Sequence, residues 1–219
     1  MSSPDRRLRV VRSDAEGVGD RVVHNVPGNH YDKHGSTNPL VRSMMRRFHA
    51  GLVGLASSVD HGEVLDVGCG EGRTTAVLSA ALTPARLLAC DLEVAAVRQA
   101  PDNSPGGEYF AGSVYQLPFA SGAFDLAVAT EVLEHLDDPA AGVTELVRVA
   151  RSGVLVTVPN EPWWRLGNMA RGAYLKHLGN TPGHVQHWTA GSFHRFLEAR
   201  FPSVEVKTVA MWNMGLIRL

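Results

Sequence analysis

Two acids and a run of glycines are the residues of this sequence best placed to do chemistry. Gly68, Gly70 and Gly72 follow the apolar run Val64-Leu65-Asp66-Val67, and a helix is expected to begin near Thr74. Glycines at the end of a strand let the backbone turn sharply and approach a ligand closely. Free N–H groups at the start of the next helix suit a carboxylate. The spacing is G-x-G-x-G and not the G-x-G-x-x-G of a pyrophosphate-binding turn. Asp66, just before the first glycine, would repel a pyrophosphate and attract an ammonium or a sulfonium. Asp91 ends the next apolar run, 19 residues after Gly72. That is close to the ~20-residue spacing at which a strand-end carboxylate meets ribose hydroxyls. A helix N-cap is the competing reading of Asp91.

S-adenosylmethionine (SAM) carries both an ammonium and a sulfonium, beside a carboxylate and a ribose, and is one ligand that such a loop would welcome. Methyl transfer from it is an in-line displacement, helped by holding nucleophile and methyl in near-attack geometry. A hydroxyl acceptor also benefits from a base. His184 and His187, in Pro182-Gly183-His184-Val185-Gln186-His187-Trp188, follow the fifth predicted strand and can reach the mouth of such a site. They act there as bases or acceptor contacts, or else they brace a loop. Two histidines three apart with no obvious third ligand make a weak metal site, so no metal centre is expected.

Residues 162–197 contain no Asp or Glu, but do contain Arg165, Arg171, Lys176 and Arg195, with Trp163, Trp164, Tyr174 and Trp188. This reads as a cationic, partly aromatic cap over the site, suited to an anionic or aromatic small molecule. A patch touching anionic membrane is a lesser reading. The plainest reading is a lid helix with a solvated basic face and Trp163, Leu166, Ala170 and Tyr174 on its core side.

These residues need a scaffold. Short apolar runs at Val64–Val67, Leu87–Cys90, Tyr109–Ala111, Phe124–Ala129 and Val154–Val158 alternate with helical segments, which predicts a parallel sheet with right-handed crossovers. Thr189 can cap a helix over Ala190–Arg200. Val204–Val209 and Met211–Leu219 then read as a closing antiparallel pair. Asn38-Pro39 starts an earlier helix whose Leu40, Met44, Phe48, Leu52 and Leu55 recur at helical spacing. Residues 1–36 are expected to form a mobile N-terminal arm, and 37–219 the ligand-binding domain with a cap at about 160–188.

Composition narrows the classes. The chain has 219 residues, 44% of them apolar, enough for one α/β domain with a modest extension. Its 21 Lys and Arg balance 22 Asp and Glu, without the basic excess of a nucleic-acid binder. Two cysteines, Cys69 and Cys90, do not make a disulfide framework. With no secretory signal and no apolar run approaching ~18 residues, a reducing, cytoplasmic setting is expected.

The stretch from Val64 to Val158 resembles the class I SAM-dependent methyltransferases, most closely the small-molecule subgroup that includes ubiquinone- and biotin-pathway methylases. The matching pieces are L-D-V-G-C-G-E-G, A-C-D-L, Q-L-P-F, F-D-L-A-V-A-T-E-V-L-E-H-L-D-D-P and V-L-V-T-V-P-N. The resemblance implies a Rossmann-like, doubly wound, seven-stranded and mostly parallel sheet with an antiparallel last strand. It implies that Asp66 and Gly68–Gly72 hold the methionine end of SAM, that Asp91 binds the ribose with Leu92 beside the adenine, that Ser113 and Val114 flank the adenine, and that Thr130 lies under the sulfonium. An acid usually stands where Ser113 stands, so the adenine contact here lacks charge assistance. His135, and the His184, Trp188 and Thr189 pattern, also match related methylases, which makes His135 a further candidate for acceptor contact. In similar enzymes the N-terminal arm folds over SAM, with Tyr31 here in position to close the pocket. The implied activity is O-, N- or C-methylation of a small molecule, giving S-adenosylhomocysteine. The competing functions are a non-methylating cyclisation or isomerisation on the same fold, or SAM binding without catalysis.

Overall fold

The computed structural model describes residues 38–170, 178–181 and 183–219. The expected arm over 1–36, Tyr31, and the cap residues Arg171, Tyr174, Lys176 and Pro182 lie outside the described residues. The remainder alternates as expected. Helix α1 (Pro39–Ala56) leads into β1 (Glu63–Val67), α2 (Arg73–Leu82), β2 (Arg86–Asp91), α3 (Val94–Asn103) and β3 (Glu108–Ala111). Then come β4 (Phe124–Thr130), a short 3-10 turn at Leu133–His135, α4 (Pro139–Val149), β5 (Ala150–Pro159), α5 (Trp163–Ala170), α6 (Ala190–Glu198), β6 (Val204–Val209) and β7 (Trp212–Arg218).

The seven strands line up as β3-β2-β1-β4-β5-β7-β6. The first five are parallel, and β7 runs antiparallel between β5 and β6. Strand order reverses between β1 and β4, which opens a crevice at their carboxyl ends. Alternate residues supply opposite faces of the sheet. Leu65, Ala127, Val154 and Val156 face one core with α4 and α6, and Val64, Leu126, Val128 and Leu155 face the other with α1 and α2. This two-sided burial explains why the strands read as unbroken apolar runs. Among the described residues no helix is long and apolar enough to cross a membrane.

Three expectations need correcting. The α1 stripe docks through Met45, Phe48, Leu52 and Leu55, while Leu40 in the first turn stays 68% exposed. Phe48 packs on Trp212 of β7 with ring centroids 4.8 Å apart. β5 begins four residues earlier than its apolar run, because Ala150 pairs with Phe124 across a register shift that hides behind the polar Arg151-Ser152-Gly153. The core side of α5 is Trp164 and Asn168. Trp163 and Leu166 face outward, 59% and 54% exposed. The phase follows the polar tips: Trp164 Nε1 and Asn168 Nδ2 both donate to Thr181 Oγ1, at 3.1 and 3.2 Å, so both side chains can be buried and satisfied.

Candidate functional site

The sequence-predicted residues that are described lie in the last residues of the parallel strands β1, β2 and β4 or in the segments that follow the parallel strands. The turn after β1 is built from three left-handed glycines, with φ of 76° at Gly68, 53° at Gly70 and 80° at Gly72. A β-carbon at Gly68 would strike Val132 Cγ2, and one at Gly72 would meet Ala100 O at 2.8 Å. Gly70 differs: apart from its chain neighbours, no described residue comes within 4 Å of where its β-carbon would sit. Tight packing therefore fixes the two outer glycines, and the middle one faces the crevice.

Asp66 lies fully buried beneath this turn. Its Oδ2 accepts from Thr75 Oγ1 at 2.6 Å, at the start of α2. Its Oδ1 is buried and, among the described residues, has no hydrogen-bond partner. Burial raises its pKa to about 6, against the Thr75 hydrogen bond and with a push from Asp91. A buried carboxylate with an unsatisfied oxygen is costly unless a cation or donor completes it.

Asp91 stands at the end of β2. Its Oδ2 accepts from Gly70 N and its Oδ1 from Glu93 N, both at 2.8 Å. The helix N-cap itself is Glu93, which accepts from Ala95 N at 3.4 Å. Leu92 projects beside Asp91, 50% exposed, as a bare apolar surface. After β3, Ser113 Oγ accepts from Tyr115 N at 3.3 Å. Val114 turns its side chain into the core, 7% exposed, so it offers the crevice only its backbone. The Gln116-Leu117-Pro118-Phe119 turn is pinned from α4. Arg148 forks onto Glu145 at 2.7 and 2.8 Å and donates to the carbonyls of Phe119 and Leu117, while Glu145 Oε1 accepts from Leu117 N at 2.7 Å.

Thr130 closes β4, and Glu131 follows with a left-handed φ of 56°. Glu131 Oε1 accepts from Trp212 Nε1 at 3.0 Å. A non-glycine residue in this conformation marks a place where the fold imposes strain. Just beyond, Glu134 is 1% exposed, and His135 Nδ1 lies 2.9 Å from Gly183 O. His184, 6% exposed, meets the His135 ring edge-on at 5.0 Å and stacks on Trp164 at 6.4 Å. The structure thus pairs His184 with His135, not with His187. His187 lies on the outer side of the segment, 3.8 Å from Glu161 Oε1. Burial, then Arg165, lowers the His187 pKa, while burial raises that of Glu161. Both effects favour the neutral imidazole at His187.

The tryptophans divide. Trp164 and Trp188 are 5% and 7% exposed and brace the cap, while Trp163 faces out. Trp188 O accepts from Glu161 N at 2.8 Å, fastening the histidine segment to the end of β5. Cys69 and Cys90 are free thiols in buried positions. Burial, helped by Asp66, pushes both thiols far up, which removes thiolate chemistry here. A shallow depression of about 430 Å³ by Asp60, His61, Leu82 and Asp125 lies at the opposite, amino ends of the strands, remote from these groups.

Sequence reasoning passed over Glu131 and Glu134. Both sit inside the T-E-V-L-E-H run, where the only available signal was two acids and a histidine directly after a strand.

Residues 65–158 match the family described as a methyltransferase domain. A demethylmenaquinone methyltransferase from Beutenbergia cavernae is 29% identical over 163 residues, 72% of this chain and 67% of its own. A probable S-adenosylmethionine-dependent methyltransferase from Mycolicibacterium smegmatis is 31% identical, with 60% of this chain and 55% of its own covered. Other curated relatives are spanned for as little as 30% of their length. Among solved structures, magnesium protoporphyrin IX methyltransferase from Synechocystis PCC 6803 with bound SAH shares the fold, with a TM-score of 0.59 at 15% identity over 84% of this chain and 90% of that one.

Proposed function

Because this chain belongs to the class I SAM-dependent methyltransferases, we propose that it moves the methyl group of SAM to a small-molecule acceptor, releasing S-adenosylhomocysteine. The observation that carries the reading is the buried Asp66 carboxylate. Among the described residues one of its oxygens has no partner, and it lies beneath a glycine turn that they leave open at Gly70. A carboxylate so placed fits a ligand that brings positive charge and a carboxylate of its own to the N–H groups of the turn.

In this reading Asp66, Gly68, Gly70 and Gly72 hold the methionine end. Asp91 retains lone pairs for the ribose hydroxyls beyond its two backbone partners. Leu92, the Val114 backbone and Ser113 border the adenine, and Thr130 lies under the sulfonium. Bound SAM supplies a methyl group activated for in-line attack; the chain supplies position and charge. His135 and His184 receive the polar end of the acceptor. His187 is the further candidate to accept a proton. An anionic or aromatic acceptor accords with the acid-free, cation-bearing cap and the outward Trp163. The two free cysteines accord with a reducing, cytoplasmic setting.

Titration calorimetry with SAM and S-adenosylhomocysteine tests the reading. Both are expected to bind one site, and Asp66→Asn to weaken binding by about tenfold to a hundredfold. Failure of the wild-type chain to bind either would overturn it. SAM turnover that yields product without stoichiometric S-adenosylhomocysteine would point to the non-methylating class.

A further inference from the structure

We propose that Glu134, His135 and His184 form a site for a divalent first-row metal ion at the acceptor side of the crevice, with coordination positions left open for an oxygen of the acceptor. Only the identity of that oxygen rests on the methyl-transfer reading; cation binding stands on the geometry alone.

One donor atom from each residue lies within 4.8 Å of the other two. Donors around one ion at about 2.1 Å sit roughly 3–3.5 Å apart in octahedral or tetrahedral arrangements, so closure needs only small rotations of the side chains. Among the described residues the donor set is two imidazoles and a carboxylate, which suits zinc, manganese or iron(II) and leaves at least one position open.

The surroundings orient each donor. The His135 nitrogen facing Gly183 O at 2.9 Å must carry a proton, which makes Nε2 the nitrogen for a metal. A backbone carbonyl behind a histidine is the usual device for fixing a metal-binding tautomer. The His184 ring is confined between His135 and Trp164. Glu134 and His184 are brought together by the backbone: the Glu134 carbonyl accepts from Val185 N at 2.9 Å and Gln186 N at 3.1 Å. Gln186 Nε2 adds a bond to Leu136 O at 3.1 Å. Two segments far apart in sequence are thus stapled around the three side chains. A carboxylate 1% exposed beside two imidazoles is an environment that a divalent cation compensates well.

Position gives the site its use. Glu134 and His135 follow β4 directly, on the same edge as the Asp66 and Asp91 loops. An ion there would bind a hydroxyl or enolate oxygen and make it a better nucleophile, which favours oxygen acceptors over amines.

The test uses the full chain stripped with a chelator. Zinc is titrated in by calorimetry, and manganese is followed by loss of the free-ion paramagnetic resonance signal. One equivalent is expected to bind, and the reloaded wild-type chain to melt several degrees above the stripped one. His184→Ala and Glu134→Gln should each weaken metal binding by about a hundredfold. His194→Ala, on the exposed side of α6, should bind as wild type does. No uptake by the wild-type chain, or equal uptake by His184→Ala, overturns the site; the wild-type titration decides even if a variant fails to fold. S-adenosylhomocysteine binding to the stripped chain is measured separately. Its persistence without metal uptake defeats the cation site and spares the SAM reading, and its absence alongside full metal uptake does the reverse.

Discussion

The backbone N–H of Gly70 donates to Asp91 Oδ2 across 2.8 Å, so the turn after β1 is held in shape by the strand beside it. The same carboxylate also caps the Glu93 N–H. Asp91 is therefore a brace for the glycine turn as well as a candidate ribose contact. Asp91→Ala removes both functions and should lower SAM affinity by about a hundredfold. Asp91→Asn, which keeps an acceptor oxygen for one backbone partner, should lose about tenfold. Calorimetry separates the two variants, and equal affinity of both with wild type would show that neither contact matters.

The raised pKa of Asp66 makes SAM binding depend on pH. Burial lifts that pKa to about 6, and a cation prefers the ionised form. Above pH 6 the group is already ionised, and below it a proton must be released on binding. Affinity should be flat above about pH 7 and fall toward tenfold per unit well below pH 6. Asp66→Asn should flatten that profile at a lower plateau. The sign for the ligand-free fold is opposite: a carboxyl that holds its proton more tightly when folded costs stability as pH rises from 3.8 toward 6. A wild-type affinity profile that parallels the Asn variant would remove Asp66 from the binding event.

Gly68 should not tolerate a side chain. Its φ of 76° disfavours any L residue, and an added β-carbon meets Val132 Cγ2. Gly68→Ala should cost about 2–4 kcal/mol, part from the left-handed backbone and part from overlap. In denaturant melts, Val132→Ala in the same chain should recover the overlap and not the backbone part. Full recovery would mean the left-handed conformation is not a constraint.

The Arg148 fork fixes the turn after β3. Both partners are partly open to solvent, with side-chain exposures of 35% and 15%, so the ion pair itself contributes little. The two carbonyl bonds carry more. Arg148→Ala should lower stability by about 2 kcal/mol, a Tm drop of roughly 4–8 °C. Arg148→Lys keeps the charge but cannot reproduce the fork, and should recover less than half. Recovery to the wild-type melting temperature by lysine would assign the effect to charge alone.

The sequence and the structure agree where local chemistry decides. Val64–Val67 had to be a buried strand, since its residues serve cores on both faces, and the three glycines had to be a turn, since all adopt positive φ. The near absence of a loop between Val209 and Trp212 forced the closing hairpin. Legibility ended where partners come from afar. Nothing near Glu134 in the chain announces that residues 183–186 will fold onto it. His184 and His187 looked equivalent at their spacing, yet an extended segment turns one inward against His135 and the other out toward Glu161. The lid-helix reading put Trp163 on the core side, but Thr181, distant in the chain, supplies the partner that lets Trp164 be buried instead.

β7 enters the sheet between β5 and β6 although both precede it in the chain, pairing with seven residues of one and six of the other. Until Trp212–Arg218 are seated, β5 offers one full edge of unpaired backbone beside its apolar Val154-Leu155-Val156 row. Such an edge is a template for any extended chain in the vicinity. Any species in which β5 has formed and β7 has not been inserted is therefore open to aggregation along that edge, even with the glycine turn and both of its acids in place.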